Sequence, residues 1–139
     1  MLHKYSLSKA EAIVAAAGPI MNFIISFVFL IIYEIFARVV INGTINTAVL
    51  ITQQILLSII MVNLGLGVFN LIPIYPLDGS KVLNHFLPYK AKEWMANNQT
   101  ILTIIVFIIV FCTDIISWIS SYVLFGMEWL VTLILGIFI

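Results

Sequence analysis

The residues best placed to do chemistry lie together in Asn70-Leu71-Ile72-Pro73-Ile74-Tyr75-Pro76-Leu77-Asp78-Gly79. Pro73 and Pro76 cannot both sit in a regular helix interior, because proline lacks the amide proton and its ring clashes with the preceding turn. A long apolar run therefore has to unwind here and present an acid beside a glycine. Irregular backbone at membrane depth is stable only where protein or a watery cavity satisfies its polar groups. An ionisable side chain in or at the edge of a span is costly enough to point to function. Two readings follow from the physics alone: Asp78 belongs to a functional site, or it lies at the membrane interface and caps a helix running from Gly79 to Leu87.

The elements that must position this segment are set by composition. Of 139 residues, 63% are hydrophobic and only 9% charged, with a mean hydropathy of +1.21, whereas roughly a quarter of an ordinary soluble domain is charged. The chain reads as one domain, residues 1–139, all-α and polytopic in the membrane. It has room for about four transmembrane helices of roughly 20 residues each, one of them broken at Pro73 and Pro76. The first apolar run extends from Ile13 to Ile41, with Ser8 and Glu11 forming a capping box that predicts a helix start just before the membrane. Asn42-Gly43-Thr44 supplies turn chemistry and is also a formal, weak glycosylation sequon. A second run covers Ala48 to Ile72, where Gly65 and Gly67 would let another helix approach closely. Ser80 to Asn98 is polar and reads as interfacial. Ile101 to Ile139 is apolar enough for two spans divided near Trp118 to Tyr122.

A net charge of zero argues against a nucleic-acid or polybasic lipid-binding role, and the lipid bilayer is the expected surroundings. The N-terminus is polar and of mixed charge, without the basic start and short apolar core of a cleaved signal. Cys112, the lone cysteine, is expected as a small buried hydrophobe. Cytoplasmic loops collect lysine and arginine. Lys4 and Lys9 precede the first run and Lys81, Lys90 and Lys92 follow the second, which leaves Arg38 opposite and predicts cytoplasmic N- and C-termini for an integral multi-pass protein.

With these residues in place, Asn70 to Gly79 resembles the NxxPxxPLDG motif of the site-2 protease family of intramembrane zinc metalloproteases. Ala16-Ala17-Gly18-Pro19-Ile20-Met21-Asn22 resembles the AAGPxxN motif that precedes it there. Both occur in order on consecutive apolar runs, so the resemblance covers roughly the whole chain as a family C-terminal half. It implies zinc-dependent cleavage of transmembrane-helix substrates, with Asp78 as third zinc ligand. A carboxylate oxygen suits zinc and leaves a fourth position for water, whose pKa the metal would lower while polarising the scissile carbonyl. By the same resemblance Asn70 would contact substrate backbone or the developing oxyanion, Pro73 and Pro76 would shape the break, Gly79 completes the motif, and Gly18, Pro19 and Asn22 would support helix packing around the site.

The pattern is incomplete. Family members hold zinc with two histidines of an HExxH helix whose glutamate is the general base, and this sequence has no HExxH. His3 and His85 are its only histidines. His85 follows Asp78 by two helical turns, about 10 Å along a helix, too far to share one zinc; both are expected as interfacial polar residues. Zinc is thus the cofactor of the intact family enzyme rather than of this chain alone, which is expected to be inactive by itself. The expectations are a partial sequence, an inactive or regulatory relative, or a chain paired with a second polypeptide carrying the missing helix. A small transporter or channel subunit also uses broken helices, although no second Pro-x-x-Pro-x-Asp-Gly run marks an internal repeat. Asp114 and Glu128 are expected at the interface if the last two spans divide near them. Trp94, Trp118, Tyr122 and Trp129 fit interfacial belts, and Met21 and Met61 fit lipid or packing contacts.

Overall fold

A computed structural model of the chain describes residues 2–41 and 46–138, with side chains described for 9–40 and 46–136. The described residues form six helices and no strand: α1 Leu2–Ile41, α2 Thr47–Asn70, α3 Asp78–Phe86, α4 Tyr89–Asn97, α5 Gln99–Cys112 and α6 Ile115–Phe138. Three stretches are long and apolar enough to cross a membrane, Lys9–Val40, Thr47–Asn70 and Ile115–Gly136, and α4 with α5 would make a fourth, bent by 74°. Only 11%, 11% and 17% of the most apolar windows of the three are buried inside the protein. Such helices, apolar on nearly every side, need lipid as their solvent.

The core forms where α1, α2 and α6 meet. Leu30 of α1, Ile60 and Leu64 of α2, and Val131 and Leu135 of α6 are buried together, with Phe23, Phe27 and Met127 packed around them. Ser26 is fully buried and donates its hydroxyl to the Ile60 carbonyl at 3.1 Å, joining α1 to α2 at the same level. A span interior has no water to satisfy that carbonyl, so the hydroxyl acts as an interhelical tie. Pro19 is fully buried within α1 without ending it, as neighbouring helices allow in membrane proteins.

Several boundaries differ from the sequence expectations. The helix α1 begins at Leu2, so Ser8 lies inside it rather than capping it. The division between the last two spans falls at Thr113 and Asp114, not near Trp118 to Tyr122. There the Trp118 amide donates to the Asp114 carbonyl at 2.8 Å as the first bond of α6, and Trp118 and Tyr122 stack edge to face within that helix, centroids 4.7 Å apart. Asp114 is exposed at the break. Glu128 lies well inside α6, on its exposed surface, rather than at an interface. Cys112 is exposed at the end of α5, not buried, because α5 has no buried residue at all. Asn42-Gly43-Thr44 lies outside the described residues, as does the side chain of His3.

Candidate metal-side site

Two motifs meet at one point. The last turn of α2 closes with the Leu71 amide donating to the Gly67 and Val68 carbonyls and Ile72 to Phe69. Beyond it, tight turns replace the helical ladder: Ile74 donates to Ile72 at 2.8 Å and Leu77 to Ile74 at 2.9 Å, with Pro76 following a cis bond from Tyr75. The backbone freed by the two prolines is thus satisfied locally, as a chain at membrane depth requires. From α5, Thr103 donates its hydroxyl to the Tyr75 carbonyl at 2.7 Å and ties the unwound segment down.

The helix α3 starts directly after this break. Leu77 is its N-cap and contributes no side-chain bond; instead its carbonyl accepts from the Ser80 amide at 3.1 Å and the Ser80 hydroxyl at 2.7 Å. Asp78 is the first helical residue and is not the cap, which removes the reading of Asp78 as a capping residue for a helix from Gly79 to Leu87. Its place in the first turn suits a carboxylate, because the unpaired amides there carry partial positive charge.

The half-buried Asp78 carboxylate has two faces. Oδ1 accepts from the Lys81 ammonium at 3.3 Å. Oδ2 faces α1 at Gly18, where a Cβ would stand 3.4 Å from it. Gly79 is needed for a different reason: a Cβ there would collide with the carbonyl oxygens of Leu71 and Ile72, the latter at 2.5 Å. Only a residue without a side chain lets α3 start so close beneath the end of α2. Gly67 takes the Phe23 ring, 2.9 Å from where a Cβ would be, whereas Gly65 has open space beside it. Close approach therefore holds for Gly67 and not for Gly65.

Other residues singled out in the sequence lie around this point. Pro19 is buried beside Gly18, and Asn22 is half-buried one turn further along α1. Asn70 is half-buried in the last turn of α2, and Pro73 is exposed in the break. His85 is in the last turn of α3, its ring edge to face with Phe86 at 5.2 Å. The Asp78–Lys81 pair was legible from its i,i+3 spacing, a standard helical neighbour relation; the Thr103 tether, spanning 28 residues, carried no local signal. Among the described residues no three histidine, cysteine, aspartate or glutamate side chains gather to hold a metal ion. One carboxylate does not fit zinc, which takes four ligands in structural sites and three protein ligands in catalytic ones.

The fold and site define a helical membrane protein in which a proline-broken helix sets an acid against a glycine of the preceding span. Residues 3–113 match the model of Peptidase family M50, and the chain belongs to that family, the site-2 proteases. It is similar to a zinc metalloprotease of Methanocaldococcus jannaschii, 32% identical over 127 residues, covering 86% of this chain and 34% of that protein. It is also similar to YwhC of Bacillus subtilis, whose name places it provisionally among zinc metalloproteases, with 30% identity over 120 residues covering 85% of this chain and 51% of the relative. The chain thus spans about a third of one curated relative and about half of the other. No solved structure matches it.

Proposed function

We propose that this chain supplies the carboxylate side of a site-2-protease active site, with Asp78 as one zinc ligand and the two histidines coming from a His-Glu-x-x-His segment outside these 139 residues. The observation that carries this reading is the meeting of Gly18 and Asp78, which joins the two family motifs across α1 and α3. Glycine at position 18 sets no side chain of its own against that carboxylate oxygen. On this reading the 139 residues alone neither hold zinc tightly nor cleave peptides, and in the complete assembly the substrates are transmembrane helices. Asn70, close before the break, contacts substrate backbone.

The same reading makes the chain multi-pass with both termini on the cytoplasmic side, which the distribution of Lys9, Lys81, Lys90 and Lys92 against Arg38 supports. It is tested by co-expressing the chain with a His-Glu-x-x-His span from a family relative, or with its own upstream coding region if that encodes one, alongside a reporter carrying a transmembrane segment. Cleavage that Asp78→Ala abolishes and Asp78→Glu partly restores is the expected result. Cleavage unaffected by Asp78→Ala, or stoichiometric zinc in the purified 139-residue chain, would overturn it.

A further inference from the structure

Away from Asp78, a cavity of about 300 Å³ lies between the unwound segment, α3, α4 and the start of α5. Its polar lining is Ser80, Asn84, Lys92 and Gln99, beside Tyr75 and Leu102. Among the described residues the side chains of Asn84, Lys92 and Gln99 make no hydrogen bond or ion pair. The half-buried Lys92 and Gln99 and the exposed Asn84 thus line this space without a partner in the protein. A half-buried lysine without a carboxylate partner favours an anion, and amide N–H groups supply the donors that phosphate oxygens require.

The setting narrows the anion to one source. α4 meets the apolar α5 at 74°, so α5 entering the bilayer leaves α4 closer to the membrane surface. Phe86, Tyr89 and Trp94 are strongly exposed along this stretch, the placement of interfacial aromatics. From Asp78 to Asn98 three lysines stand against two acids, Asp78 and Glu93, and of the three Lys81 is already paired with Asp78. We propose that this cavity binds the phosphate of an anionic phospholipid headgroup, with Lys92 supplying the charge and Asn84 and Gln99 the directional hydrogen bonds.

The test is native mass spectrometry of the detergent-purified chain titrated with phosphatidylglycerol, phosphatidylcholine or inorganic phosphate. Preferential retention of phosphatidylglycerol is expected, reduced about fivefold by Lys92→Gln, the attraction of one lysine near an anionic surface. The neutral Gln99→Leu should weaken it as well, while Lys90→Gln, which removes the same charge from an exposed position outside the cavity, should not. Circular dichroism checks that each variant keeps its helix content, and Asn84→Leu replaces Gln99→Leu if the latter does not fold. Equal loss from Lys90→Gln and Lys92→Gln with silent carboxamide variants would reduce the effect to surface charge and overturn the site. Inorganic phosphate binding as tightly as phosphatidylglycerol would overturn the lipid assignment in favour of a free anion.

Discussion

Gly18 and Asp78 face each other across α1 and α3, with the position of a Gly18 Cβ only 3.4 Å from the Asp78 Oδ2 oxygen. That separation is ordinary van der Waals contact for a methyl group, while a longer side chain directed at α3 would meet the carboxylate. Gly18→Ala is therefore expected to keep the fold and much of the activity in the reconstituted protease assay. Gly18→Leu is expected to displace the carboxylate, and a displacement of about 1 Å at a reacting centre lowers rates about 100-fold. Comparing reporter cleavage with thermal unfolding separates the two effects: Gly18→Leu should lose cleavage while unfolding close to the parent.

Gly79 should show the opposite split. Its missing Cβ is required by backbone, not by a flexible side chain, because the Leu71 and Ile72 carbonyls occupy the space. Gly79→Ala is expected to destabilise by about 1–3 kcal/mol, the range for forced overpacking, and to lower the midpoint of unfolding in detergent. Asp78→Ala, one residue away and half-exposed, should leave that midpoint nearly unchanged.

Two buried serines give a matched pair. Ser26 bonds the Ile60 carbonyl across helices, whereas Ser120, also buried, has no hydrogen-bond partner among the described residues. Ser26→Ala is expected to cost about 0.6 kcal/mol, the average for interhelical hydrogen bonds in a membrane protein, and no more than the maximum of about 1.7. Ser120→Ala removes an unpaired hydroxyl and should be neutral or slightly stabilising. Equilibrium unfolding in mixed micelles measures both.

The Lys81–Asp78 contact is an exposed i,i+3 pair, with side chains 53% and 35% exposed. Lys81→Ala should therefore change stability by less than about 1 kcal/mol. A larger drop in the same unfolding assay would show that the ammonium does more than pair at the surface.

The legibility of these features follows their physical origin. Pro73 and Pro76 force a break that any membrane helix would have to honour, and Gly18 and Asp78 were readable as motif members, so their meeting was half visible in the sequence. What α1 and α3 do with those motifs required the packing of two helices against one another. The last two spans were misdivided because α5 and α6 form one nearly continuous apolar stretch in which no run of polar residues marks the break. The polar and aromatic residues from Ser117 to Tyr122 suggested a boundary that the chain makes instead at Thr113 and Asp114. Gly65 and Gly67 looked equivalent, and only the placement of Phe23 distinguishes them.

The short α5 carries a consequence for the surrounding lipid. Its 14 residues rise about 21 Å at 1.5 Å each, against a hydrocarbon core of about 30 Å. With α4 at one surface, as proposed above, and α5 alone crossing, the end of α5 at Cys112 falls short by about 9 Å, unless the bilayer thins on that flank or α4 supplies part of the span. A local dimple of this kind costs fractions of a kcal/mol per Å, and it brings headgroups and water inward beside α5. Reconstitution into shorter-chain lipids would relieve that mismatch and favour the protein's native arrangement.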